Sequence, residues 1–544
     1  MWDLIQKTLV IMVDFDPLSY PESSRRNLVY SKNGMVATSQ PLATAAGLRV
    51  MRQGGNAVDA AVATAASLTV LEPTSNGIGG DTFAQVWYKG ELHGLNSSGP
   101  APEGISRAGL KEEGIEEIPK FGWEPVTVPG APAAWSKLSD RFGNLGLEET
   151  LEPAIEYARQ GYPVQPTLGR YWKKAYDVYS ELEGPEFTAW KEVFAPDGSP
   201  PEVGEIWKSP DHAETLRKIA NTDSRAFYRG ELAEKVDEFS RETGGYVRKS
   251  DLASYSPEWV EPIKLNYGGY DVWELPPNGQ GLVALIGLNV LDQLEFSVKS
   301  DEFYHYAIEA IKLAFSDGKE YITDPDYMDL DPLDFLSPGY GARRSREVKA
   351  TASEPEPGRP GEAGTVYLAT ADRDGNMVSL IQSNYAGFGS GVVVPGTGIA
   401  LQNRGNTFSL DDSAYNRLEG GKRTYHTIIP GFLTREGEPL GPFGVMGGYM
   451  QPQGHVQVLL NTIERGLNPQ AALDAPRWRW TGGKEIEVEQ DFPEHLIGKL
   501  ERRGHEVSVA SDRGAFGRGQ IIFRHGKGLV GATEPRTDGQ VGVY

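Results

Sequence analysis

Apolar positions near the start of the chain form a strand-like run, Met35-Val36-Ala37, and then a helical spacing that resumes in the alanine-rich stretch 57–70. Gly54-Gly55 suits the end of one helix and Asn56 the N-cap of the next. With almost no charge in 57–70, that second helix is expected to be buried on most sides. A glycine-rich loop at 72–81 leads into an alternating strand at 82–88. From about 105 to 345 helical segments alternate with polar loops rich in Trp, Tyr and Pro, a pattern that predicts helical wrapping with lids. Inside it, 274–281 reads as a turn-rich strand exit, accounted for by a tight turn, before an apolar helix at 282–294. Residues 365–371 alternate as a strand, Asp372-Arg373-Asp374-Gly375-Asn376 makes a hairpin turn, and 377–383 returns. Strand, glycine turn and strand then repeat to the end, with helices at about 454–465 and 492–503 and a strand at 519–523. The order predicts an α+β fold with sheets covered by helices.

Composition narrows the partners. The 544 residues are 39% hydrophobic and 24% charged, as in a folded globular protein. Asp and Glu number 75 against 53 Lys and Arg, and the net charge of -22 disfavours nucleic acid or an anionic membrane as partner. The absence of cysteine rules out disulfides, thiolate catalysis and thiolate-held metals. The short apolar run 9–13 is followed by Asp14 and Asp16 without a small-residue cleavage pattern, so it is not read as a secretory signal. No apolar stretch approaches the ~20 residues that span a bilayer, and the expectation is a cytoplasmic protein. Met12 offers an alternative start, with 1–11 as an upstream extension.

The sharpest change in composition lies at 350–364, which holds three Pro, three Gly and three Glu without apolar periodicity. Such a stretch is expected to be an exposed connector. If it is cut, a threonine hydroxyl at the head of a strand gains a base, its own α-amino group. That amine has a reference pKa of about 7.7–8.0, so a useful fraction is neutral near pH 7. The loop at 72–81 lacks the Lys-Ser/Thr ending of a P-loop and the dinucleotide fingerprint. The eight histidines are isolated along the chain, and none falls in a metalloprotease spacing. His305 and His455 are read as packing or surface residues, and neither a metal nor a cofactor is expected.

A resemblance sharpens this reading. Gly364-Thr365-Val366-Tyr367, the 372–376 turn, Ser379-Leu380-Ile381-Gln382-Ser383-Asn384-Tyr385 and Gly447-Gly448 resemble the γ-glutamyltranspeptidase family of N-terminal-nucleophile hydrolases. The blocks at 35–41, 54–73 and 76–81 resemble it too, in the family's order. The resemblance implies a four-layer αββα sandwich with extra helical wrapping. It also implies self-cleavage between Gly364 and Thr365, by attack of the Thr365 hydroxyl on the Gly364 carbonyl. The products would be a large subunit, 1–364, ending in a pro-segment at about 350–364, and a small subunit, 365–544. The two would form one interlocked heterodimer, and pairing of heterodimers is left open.

By the same resemblance Gly447 and Gly448 supply oxyanion donors and Ser383 touches the nucleophile, with Asn384 and Tyr367 as further candidates. The sequence departs from glutathione-cleaving members at the substrate. The block 96–102, where they carry a carboxylate-binding Arg, has none, and Arg pairs a carboxylate in a way that Ser and Pro cannot. The usual acidic residue falls on Thr407, and the usual paired serines on His426 and Thr427, next to Tyr425. Arg404 occupies a neighbouring pocket position. A γ-glutamyl group is therefore expected to bind poorly, and another small acyl amide, its carboxylate on Arg404 or His426, to bind instead. His426 remains open between ligand and structural roles. The TSNGIGG, LIQSN and YHTIIPG blocks are similar to the oxamate-amidohydrolase-like branch. Two other readings stand beside this one: true γ-glutamyl transfer or glutathione hydrolysis, and a binding or assembly protein that is never processed.

Overall fold

In the computed structural model, residues 16, 21–22, 26–355 and 365–544 are described. Most of the connector, including Gly364, and nearly all of the first twenty residues lie outside them.

Two seven-stranded antiparallel sheets occupy the centre. The first runs in the order Gln540–Val543, Gly34–Thr38, Val366–Asp372, Met377–Ser383, Asp81–Tyr88, Glu91–Ser97, Glu258–Val260. The second runs Val29–Ser31, Gly528–Thr533, Arg518–His525, Glu438–Met446, Gly431–Arg435, Tyr270–Glu274, Ile263–Tyr267. Between them lies an apolar layer that includes Ala37, Phe83, Tyr367, Ala369, Ile381, Phe432 and Ile522. The outer face of each sheet is packed with helices, Ala57–Leu71 on the first and Gly281–Leu291 and Met450–Leu459 on the second, with Glu302–Tyr321 packed on those two helices. The result is the expected αββα sandwich. Among the described residues no helix is long and apolar enough to cross a membrane.

The helix Ala57–Leu71 forms where the sequence places it. Asn56 caps it, accepting from the N–H groups of Val58 and Asp59, while Asp59 reaches back to the Asn56 N–H. Every residue of the helix is buried, as a helix apolar all round must be. The predicted hairpin is also present, shifted by one residue at its first strand. Along Val366–Asp372 the period of two sends Tyr367, Ala369 and Ala371 between the sheets and Val366 and Leu368 toward the helices. Asp372 then accepts from the N–H groups of Asp374, Asn376 and Ala57, tying the hairpin turn to the start of the buried helix.

Three expectations need correction. The middle region is not only wrapping, because Glu258–Val260, Ile263–Tyr267 and Tyr270–Glu274 extend the edges of both sheets. The helix expected from 454 starts at Met450 and ends at Leu459, where a π-helical turn, Leu460–Glu464, follows. The apolar helix ends at Leu291, three residues early, as Asp292 closes it.

Candidate active site

Thr365 stands just before the central strand Val366–Asp372, fully buried, with its neighbours drawn from both sheets. Its Oγ1 donates to Ser383 Oγ at 3.3 Å, across the hairpin. Ser383 Oγ in turn accepts from the Tyr385 N–H at 2.7 Å, which fixes the serine as the chain leaves its strand. Tyr385 has φ 76, an unusual conformation for a bulky residue, and such outliers persist where surrounding structure over-determines them.

The second sheet contributes the glycine pair. Glu438–Met446 runs into Gly447 (φ 135) and Gly448 (φ 58), and the helix Met450–Leu459 starts at once. The hydrogen bonds of this turn use the two glycine carbonyls, which accept from the N–H groups of Met450 and Gln451. Side-chain-free N–H groups at a helix N-terminus are suited to receive developing negative charge. Gln451, the second residue of the helix, points Nε2 at Thr365 Oγ1 from 3.5 Å, its Oε1 held by the Ile429 N–H at 2.9 Å. Sequence reasoning missed Gln451, although its place four residues past Gly447 was visible.

Behind these groups lies a charged layer. Arg404 is fully buried in the short turn Arg404–Thr407. Its Nη1 donates to Thr427 Oγ1 at 2.6 Å, and its guanidinium lies 4.4 Å from the centre of the Tyr385 ring. Nε and Nη2 have no hydrogen-bond partner. Burial lowers the Arg404 pKa to about 10, against the attraction of Asp81, so the group stays charged at neutral pH. Burial also pushes Asp81 up to about 7, opposed chiefly by Arg404 and by hydrogen bonds that include the N–H groups of Gly130 and Gly99.

His426 Nδ1 accepts from the Ile428 N–H at 3.3 Å, so the ring proton is on Nε2, 3.0 Å from Asp81 Oδ2. Burial, and then Arg404, hold His426 well below the usual histidine range, and it is neutral. Both ring nitrogens are thus engaged within the protein.

Thr407 Oγ1 bonds to the Arg404 and Tyr425 carbonyls and to Thr424, bracing the turn instead of facing outward. Tyr425 donates to Gln280 Oε1 at 3.0 Å, and Gln280 Nε2 donates to the carbonyls of Thr427 and Gly448. The 274–281 turn therefore does more than reverse the chain, since Gln280 ties the 425–427 segment to the glycine pair. Tyr367 lies away from this group, in the layer between the sheets, with its hydroxyl on Ser379.

The glycine-rich loop at 77–80 packs against the same spot. A Cβ on Gly80 would stand 2.4 Å from the Ser383 carbonyl oxygen. Asn384, beside it, is fully buried with both side-chain polar atoms unpartnered. Outside, a cavity of about 450 Å³ is lined by Gly447, Tyr449, Met450, Gly387, Lys120 and Arg518 among others. Tyr449, which lines it, is hydrogen-bonded to Tyr385.

Comparison with known proteins agrees with this geometry. The gamma-glutamyltranspeptidase family model matches residues 43–544. The glutathione hydrolase-like YwrD proenzyme of Bacillus subtilis (strain 168) is 36% identical over 518 residues, 93% of this chain and 97% of its own length. The oxamate amidohydrolase proenzyme of Klebsiella pneumoniae subsp. pneumoniae is 33% identical over 531 residues, 94% of this chain and 99% of its own. The crystal structure of cephalosporin acylase from Bacillus halodurans is 60% identical with a TM-score of 0.93, covering 97% of this chain and 99% of that one. The chain therefore belongs to the gamma-glutamyltranspeptidase family, autoprocessed N-terminal-nucleophile enzymes that break amide bonds.

Proposed function

We propose that cleavage between Gly364 and Thr365 frees the Thr365 amine, and that this threonine then hydrolyses a small acyl amide carrying a carboxylate on its acyl part. The observation that carries the reading is the convergence on Thr365 Oγ1 of Ser383 at 3.3 Å and Gln451 at 3.5 Å, at the head of a strand. The α-amine takes the hydroxyl proton as Oγ1 attacks the amide carbonyl. Negative charge builds on the carbonyl oxygen, and the N–H groups of Gly447 and Gly448 receive it. The C–N bond breaks, the departing amine takes the proton back from the Thr365 amine, and the acyl group rests on Oγ1 as an ester. Water, deprotonated by the same amine, attacks the ester and releases the acid.

Ser383 and Gln451 orient the hydroxyl. Arg404, with Nε and Nη2 unspent, is the anchor for the substrate carboxylate, and Thr407, standing where an acidic residue would hold a γ-glutamyl ammonium, supports an acyl group that carries the carboxylate without the ammonium. Thr427, Tyr425 and Thr407 hold that arginine and its turn in place, and His426 holds Asp81. The products of cleavage, 1–364 and 365–544, stay together as a heterodimer.

A denaturing gel of purified protein tests the first step, with two fragments expected, the smaller beginning Thr-Val-Tyr-Leu on Edman sequencing. An intact chain in an active sample would overturn it. A substrate panel tests the second step: turnover of oxamate or another anionic acyl amide is expected. Efficient release from a γ-glutamyl anilide would favour the glutathione-hydrolase reading instead.

A further inference from the structure

We propose that His305, Glu309 and His505 form a divalent-metal site, with the donor set of zinc, that clasps the two sides of the connector. The histidines are isolated only along the chain. In the fold His305 Nδ1 lies 2.8 Å from His505 Nε2, and one ligand atom from each of the three residues lies within 4.8 Å of the others. His305 and Glu309 are one helical turn apart in Glu302–Tyr321 and share a face. His505 comes from the other end of the chain, just before the strand Glu506–Val509. All three are buried.

A hydrogen bond accounts for the approach of the two imidazoles, and Nδ1 of His505 is buried with no partner whether Nε2 meets His305 or a metal. The outer contacts, by contrast, are those a metal site needs. His305 Nε2 donates to the Lys349 carbonyl at 2.8 Å, which turns its Nδ1 lone pair inward. Glu309 Oε2 accepts from the Ser353 N–H at 3.0 Å and from the Ser353 hydroxyl, which fixes the carboxylate. Two imidazole nitrogens and a carboxylate oxygen are zinc ligands, and a fourth position is left for water.

Lys312 is the competing cation, with Nζ 2.8 Å from Glu309 Oε1 and 3.1 Å from the Ser353 carbonyl. A carboxylate offers about four lone-pair sites, so Oε1 can keep Lys312 on one side and take a metal on the other. The arrangement joins a helix upstream of the connector to His505 downstream of it. Its supports, Lys349 and Ser353, stand at the connector's edge. Its role is structural, since its residues belong to the helical layer of the second sheet and not to the hairpin that follows Thr365.

The test uses tag-free, processed protein incubated with zinc chloride and desalted, with metal measured by plasma mass spectrometry. About one zinc per chain is expected, and cobalt in its place should give the visible absorption of a four-coordinate site. EDTA should lower the Tm of the wild type but not that of His505→Ala. His505→Ala and Glu309→Gln should lose the zinc. Lys312→Met, which removes the rival charge, should tighten binding at least about tenfold. Retention below about 0.1 zinc per chain in the wild type, with a Tm indifferent to EDTA, would overturn the proposal. Undiminished zinc in the His505→Ala and Glu309→Gln variants would overturn it as well. Because metal content and Tm are read without substrate, neither outcome depends on the amidase reading.

Discussion

Replacing Arg404 by methionine separates recognition from chemistry. The side chain keeps its unbranched shape but loses the guanidinium, whose Nη1 is committed to Thr427 while Nε and Nη2 are unspent. Hydrogen bonds to charged groups contribute about 1.5–3 kcal/mol each, and the two bonds of a bidentate pair are not fully additive. A loss of about 3 kcal/mol for an anionic acyl group is therefore expected, or roughly 100-fold in kcat/KM. Asp81 tolerates the change, because burial already holds it near 7 and it can take up a proton once its counter-charge is gone. The assay compares an acyl amide carrying a carboxylate with the same compound bearing a neutral carboxamide. The anionic substrate should lose roughly 100-fold and the neutral one less than about threefold. Arg404→Lys should fall between, since it keeps the charge without the fork. Two bands on a denaturing gel certify that the variants fold and mature. Equal losses on both substrates, or none on either, would refute the assignment.

Further outcomes follow from single contacts. Thr365→Ala should leave the chain uncut and inactive, while Thr365→Ser should still cut and turn over, both read on gels and with the substrate panel. Gly80→Ala should cost about 1–3 kcal/mol or prevent maturation, because the new methyl group meets the Ser383 carbonyl at 2.4 Å; a denaturant midpoint equal to wild type would contradict this. His212 is buried, neither ring nitrogen has a partner, and burial lowers its pKa to about 4 from the ordinary 6.5 of a histidine. The unfolded chain thus binds the extra proton between those values, so stability falls as pH drops from 6.5 toward 4, by about 3 kcal/mol at most. His212→Leu should flatten that part of the Tm-against-pH curve, and an unchanged slope would exclude His212 as its source.

Local signals carried far in this chain. Asn56 with Asp59, the uncharged run after them and the Asp372–Asn376 turn are interactions among near neighbours, so their outcome can be read from residues a few positions apart. Contacts that close over hundreds of residues could not be read that way. Asp81 meets His426 and His305 meets His505 only because strands and helices bring them together. The strands Glu258–Val260 and Ile263–Tyr267 were hidden in a helix-rich stretch, being short and half-exposed at sheet edges. Arg404 was legible as a residue of the pocket, but not its two unspent donors, which depend on what stands around it.

In the first sheet, Gly34–Thr38 is hydrogen-bonded on one side to Val366–Asp372 and on the other to Gln540–Val543. A break ahead of Thr365 would therefore yield pieces that cannot be pulled apart without stripping a middle strand from its sheet. Dissociation and denaturation become the same event. Recovery afterwards would be a bimolecular encounter, dependent on protein concentration, where the uncut chain needs only to find itself. Maturation of this kind runs one way, and a matured sample that has been heat-denatured should regain less structure on dilution than the uncut Thr365→Ala chain.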